Sequence, residues 1–335
     1  MAKRQQTFEE AMSDKYGDFV VIDEENQGTQ VKSISTGALS LDVSLGCGGI
    51  PLRRFTEIYG DEGSGKTTTC LSIAKNMMIS GNKVLYIDPE QALDFAYARA
   101  IMGEFDKSMF VLVQPETAEQ AMDIAEAGIQ SKEFGGIFLD SIGSMLPEKE
   151  REKELKDATM GQLSQLMTKF SHRNAFAVRR SDVAFVGVNQ VRDKFNAYVP
   201  TFNTPGGHSW KHLLSVRIQL ARATDIEQNK EKIGINSRFT IKKNKLAPPF
   251  RSFTIPIMFG KGIDYYRDVV QFSEMLGVLE RRGPYYFFES ETVGKGVVNS
   301  MEFLQNSPDT LDKVVKMCYN VINQVRETKE NEEDE

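Results

Sequence analysis

Long apolar runs are missing from this sequence. No uncharged stretch approaches the roughly 18 residues that a membrane-spanning helix requires, so no such helix is expected. Cysteine is scarce as well. Cys47, Cys70 and Cys318 are an odd number at spacings that form no framework, which argues for reduced thiols in a cytoplasmic setting rather than a disulfide scaffold. The N-terminus, MAKRQQTFEE, reaches acidic residues before any apolar run and does not read as a secretory leader. Internal repeats are not evident, and the acidic tail is the one low-complexity tract. Positive charge is not in excess either. Of the six net negatives, however, five come from Glu330, Glu332, Glu333, Asp334 and Glu335. The body is therefore close to neutral, and the acidic average does not exclude a nucleic-acid partner. What is present is ordinary globular composition, 40% hydrophobic and 26% charged. That excludes global disorder, and a length of 335 residues suggests roughly two domains.

Residues 6–17 have helical spacing, with Phe8, Met12 and Tyr16 on one stripe and Gly17 as a stop. A single apolar stripe on a terminal helix cannot bury itself, so it must dock on its own body or on another subunit. Residues 23–33 are polar and read as a linker. From residue 55 the chain alternates. Apolar runs at 55–59, 84–88, 110–114, 136–142 and 183–190 are separated by helical patterns at about 66–80, 117–132 and 160–180. Nearly continuous apolar strands between helices imply a parallel sheet covered on both faces. Beyond 215 the runs SVRIQLAR, SRFTIKKNK and SFTIPIMFG have no helices between them and suit antiparallel edge strands of the same sheet. Residues 265–329 read as a smaller mixed unit with PYYFFES as its strand. The expected class is α/β: a mostly parallel central sheet, an N-terminal helix and a small α+β C-terminal domain.

Residues Gly60, Asp61, Glu62, Gly63, Ser64, Gly65, Lys66 and Thr67 match the pattern GxxxxGK followed by Ser or Thr. Glycines let the backbone curl so that its N–H groups point at phosphate oxygens. Lys66 would reach the β- and γ-phosphates, and Thr67 would ligate Mg²⁺, with Thr68 following in the same helix. That helix adds the positive end of its dipole. The context fits, since the apolar strand FTEIY precedes and TTTCLSIAKNMM follows as a helix. Asp140 ends the apolar strand GIFLD, where a carboxylate can share the Mg²⁺ shell with Thr67. Glu90 follows the strand VLYID and is a candidate to orient or deprotonate an attacking water. By spacing alone, Asp88 and Asp94 compete for that role.

Two segments suit nucleic acid. Residues 148–161 are charged and end in Met160-Gly161. Residues 191–207 mix Arg192 and Lys194 with Phe195, Tyr198 and Phe202, and close on Gly206-Gly207. Cations for phosphates, aromatics for bases and glycines for close approach are the materials of single-strand binding without sequence preference. A loop that long inside a compact domain is usually functional or disordered.

The runs SISTGALSLDVSLGCGGIPLRRFTEIYGDEGSGKTT, YIDPEQALDFAYAR, FLDSIGSM, VNQVR and IKKNKLAPPF occur in order, and over roughly residues 8–325 the chain resembles the RecA recombinase family. Bacterial-type members and phage-encoded relatives fit equally. The resemblance implies a P-loop NTPase core of RecA type. It also implies a DNA-dependent ATPase that forms filaments on single-stranded DNA and pairs that strand with homologous duplex in recombination and repair. ATP and Mg²⁺ are the implied cofactors. Loading mediators and a single-strand-binding protein are candidate partners. It makes Glu90 the water-activating residue and sets Asp94 and Tyr97 at the adenine. Gln190 becomes the γ-phosphate sensor, and Lys243 and Lys245 reach the ATP of an adjacent subunit. Met160, Gly161, Arg192, Lys194, Tyr198, Gly206 and Gly207 fall on its two DNA loops.

The domain reading is then 1–32 for polymerisation, 33–264 for the ATPase core, 265–329 for the C-terminal domain and 330–335 for an acidic tail. The tail is a solvated end or a DNA mimic. Departures from the pattern are His212, where an interface Phe is usual, Gln165, where an Arg commonly contacts DNA, and a slightly shorter second loop. The alternatives are a ring-forming ATPase or helicase on the same core, and a coat protein that binds ATP without hydrolysing it.

Overall fold

The apolar runs take sheet positions, and their alternation decides which face each residue serves. The computed structural model describes residues 31–151, 161–193, 202–248 and 251–333, with isolated positions 7, 10 and 14. The chain divides into two units, Met1–Lys32 and Ser33–Glu335. In the first, Thr7 N–H donates to Glu10 Oε2 (3.0 Å) and Glu10 N–H to Thr7 Oγ1 (3.2 Å). This reciprocal pair is a capping box at a helix start, in keeping with the helix expected over 6–17. The stripe residues Phe8, Met12 and Tyr16 lie outside the described residues.

The second unit opens with β1 (Ser33–Ile34), α1 (Leu39–Leu45), β2 (Ile50–Pro51) and β3 (Arg54–Gly60). Then come α2 (Lys66–Ile79), β4 (Lys83–Ile87), α3 (Phe95–Met102), β5 (Phe110–Val113), α4 (Ala118–Ser131) and β6 (Phe134–Leu139). A short helical turn, α5 (Glu148–Arg151), and α6 (Gln162–Arg179) lead to β7 (Ala184–Gln190), β8 (Arg192–Asp193), β9 (Phe202–Asn203) and α7 (Gly207–Leu213). Three sheet strands follow, β10 (Val216–Gln228), β11 (Glu231–Asn244) and β12 (Ser252–Met258), with the short β13 (Gly262–Ile263). The remainder is α8 (Tyr265–Met275), β14 (Glu280–Arg282), β15 (Tyr285–Phe288), β16 (Glu291–Lys295), α9 (Gly296–Asn306) and α10 (Pro308–Glu333).

Nine strands form the main sheet in the order β13-β12-β11-β10-β3-β7-β6-β4-β5. The expectation that every strand beyond 215 is antiparallel needs one correction. β10 pairs with β3 in parallel, and the antiparallel run starts at β11. Helix α7 supplies the crossover that a parallel neighbour requires. Both sheet faces are covered. In β4, Val84 and Tyr86 join one buried cluster with α2 and α3, while Leu85 and Ile87 join another with α4 and α6. This is the period-2 alternation of a doubly covered strand.

Residues 265–318 enclose a third cluster that includes Leu39 and Val43 of α1. At that junction Asp268 accepts hydrogen bonds from Ser40 N–H (2.9 Å) and Ser40 Oγ (2.6 Å). Burial nonetheless raises the Asp268 carboxyl to about 6, and that of Asp42, on α1 with Ser40, to about 7.

Trp210 of α7 is fully buried against β7. It makes edge-to-face contacts with Phe55 and Phe185 at 5.9 and 6.1 Å between centroids. A Cβ at Gly187 would stand 2.7 Å from Trp210 Cζ2 and 2.9 Å from Ile142 Cδ1. Gly187→Ala is therefore expected to cost about 1–3 kcal/mol by overpacking, measured by denaturant titration. In a Trp210→Phe background the same change should cost less; equal costs in the two backgrounds would sink this account.

Candidate functional site

The cleft at the carboxyl ends of β3, β6 and β7 is built around the glycine-rich turn. Gly65 (φ 92°) caps α2, whose first residue is Lys66. A glycine-rich turn with positive φ leading into a helix start is the geometry of a phosphate cradle. Lys66 Nζ lies in that cradle, bonded to the carbonyls of Gly60 (3.0 Å) and Asp61 (2.7 Å). Burial pushes the Lys66 ammonium below the ordinary lysine range, against the opposing pull of Asp140, Asp61 and Glu90.

The cleft, about 650 Å³, is lined by Gly60, Asp61, Glu62, Gly63, Gly65, Lys66, Thr67, Thr68, Glu90, Tyr97, Asp140, Ser141 and Gln190. Ser64 is turned inward, its hydroxyl donating to the Asp61 carbonyl at 2.7 Å. Asp140 accepts from Thr67 Oγ1 at 2.8 Å and from Tyr86 OH at 2.7 Å. Burial raises its carboxyl, with Asp88 and Glu90 adding to the effect, while those two hydrogen bonds oppose it. A cation beside it would reverse that balance.

The three carboxylates that compete by spacing are distinguished by their surroundings. Asp88 is buried and accepts from Leu93 N–H (2.9 Å) and Gln114 Nε2 (3.1 Å). Asp94 caps α3, accepting from Tyr97 N–H at 2.6 Å. Glu90 is exposed to the cleft, with Ser141 Oγ 3.4 Å away. Tyr97 also faces the cleft, its hydroxyl 2.6 Å from Thr68 Oγ1.

Sequence reasoning missed one wall of this cleft. Ile235, Ile257, Met258, Phe259 and Gly260 come from β11, β12 and the turn after it. Ser237 Oγ donates to the Ser64 carbonyl (2.7 Å), tying β11 to the phosphate turn. The available signal was the Phe259-Gly260 pair closing SFTIPIMFG, with Phe259 remaining 55% exposed.

A second cleft, about 440 Å³, brings the two sequence-predicted loops together. Gly161, Ser164, Asn203, Gly206, Gly207, His208 and Lys211 line it. Gly161 (φ 90°) and Gly206 (φ 103°) cap α6 and α7 in the left-handed region. A Cβ on Gly207 would meet Ser164 Cβ at 3.2 Å, so the two segments touch. β8 and β9 pair Arg192 with Asn203 and form the stem of the second segment. Met160, Lys194 and Tyr198 lie outside the described residues. Lys243 and Lys245 are not on the nucleotide cleft. Their ammonium groups bond the Lys211 and His212 carbonyls at the end of α7, at 2.7 to 3.3 Å. Burial, Lys245 and Arg217 together push Lys243 down.

A phosphate turn between β3 and α2, with Asp140 on the Thr67 hydroxyl and a sheet extended by antiparallel strands, defines a P-loop ATPase core. The family model described as the RecA N-terminal domain matches residues 6–264. Protein RecA of Halalkalibacterium halodurans is 34% identical over 286 residues, 85% of this chain and 81% of that protein. Its counterpart from Ruminococcus albus is 38% identical over 285 residues (85% and 71%), and that from Acholeplasma laidlawii 36% over 287 residues (85% and 86%). The chain belongs to the RecA family. It is a recombinase and a DNA-dependent ATPase.

Phe259 lines this cleft with Tyr97 and, being exposed, carries little of the core. Phe259→Ala is expected to weaken ATP binding about fivefold, near 1 kcal/mol for a lost aromatic wall, with the melting temperature unchanged. Titration with a fluorescent nucleotide measures it, and unchanged affinity would remove Phe259 from the site.

Proposed function

We propose that ATP bound in the first cleft controls the hold on single-stranded DNA in the second, within a self-assembled filament that pairs the strand with homologous duplex. One observation carries this reading. β7 ends at Gln190 on the nucleotide cleft, and β8 begins at Arg192, opening the stem that returns through Asn203 to the second cleft. A single strand end thus serves both sites.

The residues fit a nucleoside triphosphate with Mg²⁺. Lys66, now on the Gly60 and Asp61 carbonyls, would exchange them for phosphate oxygens. The Thr67 hydroxyl and Asp140 carboxylate are hard oxygen donors 2.8 Å apart. Among the described residues no cluster of three His, Cys, Asp or Glu side chains is arranged for a metal. A magnesium site needs none, because substrate phosphates and waters complete its shell. Bound there, Mg²⁺ would supply charge neutralisation across the phosphate oxygens. Glu90 would orient the attacking water and take its proton. Tyr97 would stack on the base, with Asp94 fixing the helix that carries it.

Lys243 and Lys245 would act on a neighbour's nucleotide, since their own cleft lies elsewhere. The unit 1–32 would join subunits, 33–264 would be the motor and 265–329 the C-terminal domain. The acidic 330–335 segment would compete for DNA. A cytoplasmic location fits a chain in which, among the described residues, no helix is long and apolar enough to cross a membrane. Loading mediators and a single-strand-binding protein are the partners such a filament would meet.

ATP turnover at fixed salt with no DNA, single strand and duplex tests this reading, salt being held because phosphate contacts are steeply ionic-strength dependent. Strong stimulation by the single strand is expected, and Glu90→Gln should lower turnover at least about a hundredfold while binding persists. Equal turnover in all three conditions would favour a ring ATPase, and no turnover a passive coat. Gln190→Ala is expected to bind ATP normally yet lose activation by single-stranded DNA. A mutant whose turnover still rises normally with DNA would refute the sensor role.

A further inference from the structure

Beneath both clefts sits a carboxylate that neither of them uses. Glu57, in the middle of β3, is completely buried. Its Oε1 accepts from Asn189 Nδ2 (3.0 Å) and from Trp210 Nε1 (2.9 Å). Its Oε2 accepts from Arg217 Nε at 2.6 Å, and the Arg217 guanidinium lies 4.5 Å from the centre of the Tyr59 ring. Each donor leads to the stem of the 191–207 segment. Asn189 Nδ2 also donates to the Pro205 carbonyl (2.9 Å), and Asn189 Oδ1 accepts from Gln190 N–H (3.0 Å). Arg217 Nη2 donates to Thr204 Oγ1 at 3.2 Å. Trp210 belongs to the helix that starts at Gly207. One carboxylate therefore holds the outgoing end of the stem through Asn189 and the returning end through Arg217 and Trp210.

A buried carboxylate is costly to desolvate and persists where its partners are complete. Here the register adds a reason for the cost. Glu57 lies opposite Gly187 of β7 and Arg217 of β10, and three residues further along Gly60 lies opposite Gln190. The same two strands that carry the phosphate turn and Gln190 thus carry the anchor of the DNA segment.

We propose that Glu57 is a positioning residue that couples nucleotide state to the DNA segment, with Trp210 as the group that moves when the two sites communicate. The proposal rests on the reading of a DNA-gated ATPase given above. It touches neither nucleotide nor DNA. It requires that displacement of Gln190 shifts Asn189, and through the shared carboxylate shifts Pro205, Thr204 and Trp210 together.

Trp210 is the single tryptophan of the chain, so the joint carries its own optical probe. The experiment follows intrinsic fluorescence and ATP turnover of full-length protein as oligo(dT) is added with ATP, for wild type, Glu57→Gln and Trp210→Phe. In wild type, emission should change on adding oligo(dT) with ATP. Glu57→Gln exchanges an acceptor for an amide facing donors. It should keep unstimulated turnover and lose the fluorescence response, with stimulation by oligo(dT) falling about tenfold, a typical coupling factor between linked sites. Trp210→Phe keeps the Glu57–Arg217 pair and should lose part of the stimulation, which preserves the test if Glu57→Gln fails to fold.

Full stimulation in either well-folded variant overturns the proposal, and so does a wild-type emission that ignores DNA while turnover responds. A merely structural Glu57 would lower stability and unstimulated turnover together and leave the stimulation ratio intact, which also overturns it. If wild-type turnover itself ignores DNA, the DNA-gated reading fails, and the coupling role with it.

Discussion

Parallel pairing of β3 with β7 is the constraint on which both sites depend. The register sets Gly60, where the phosphate turn begins, beside Gln190, where β7 leaves the sheet. In a parallel sheet all strands deliver their carboxyl ends to one rim, and that rim is where loops of different origin can share a ligand. Asp140, directly after β6, and the segment after β4 arrive at the same edge by the same rule. The cleft is thus a product of strand direction before it is a product of any one side chain.

Polar groups under that rim are arranged to keep it rigid. Asp140 is shared between Thr67 and Tyr86, and Glu57 between Asn189, Trp210 and Arg217. A half-satisfied carboxylate in such a place would cost more than its absence, because its unpaired donors would also be buried. Completed networks instead fix one geometry. Fully packed neighbours sharpen this, since Gly187 leaves room for the Trp210 ring and for nothing else. Polar anchoring and steric fit therefore select the same position for α7.

Much of the core was legible in the sequence. The strands of the parallel sheet, the phosphate turn and the helix after it fall within a few residues of their expected places, because continuous apolar runs and a GxxxxGKT motif are strong local signals. The two candidate nucleic-acid segments were chosen on composition; the structure brings their described ends, Gly161, Gly206 and Gly207, into one cleft. The direction of β10 was not legible, since an alternating apolar run has the same pattern in either orientation. Phe259 and Ser237 were missed because their role comes from β11 and β12 folding back over the phosphate turn, as in the Ser237–Ser64 contact between residues 173 positions apart. Among Asp88, Glu90 and Asp94 it is the family resemblance, not spacing, that selects Glu90. Spacing alone leaves all three open; Asp88 and Asp94 accept from backbone N–H groups, while Glu90, exposed to the cleft, accepts from Ser141 Oγ at 3.4 Å.

Helix α7 ties these observations together. It runs for seven residues, about 10 Å at the usual rise, too short to bend and hydrogen-bonded along its length. Its first residue, Gly207, lines the second cleft; its middle holds Trp210 on Glu57; carbonyls of its last turn hold Lys243 and Lys245. Cations at a helix C-terminus are favoured by the dipole, an attraction worth a few tenths to about 1 kcal/mol, which suits the two lysines to that end of α7. A rigid body pinned in the middle cannot shift one end and spare the other. Any displacement at Gly206-Gly207 would therefore be felt at the Lys211 and His212 carbonyls that hold Lys243 and Lys245.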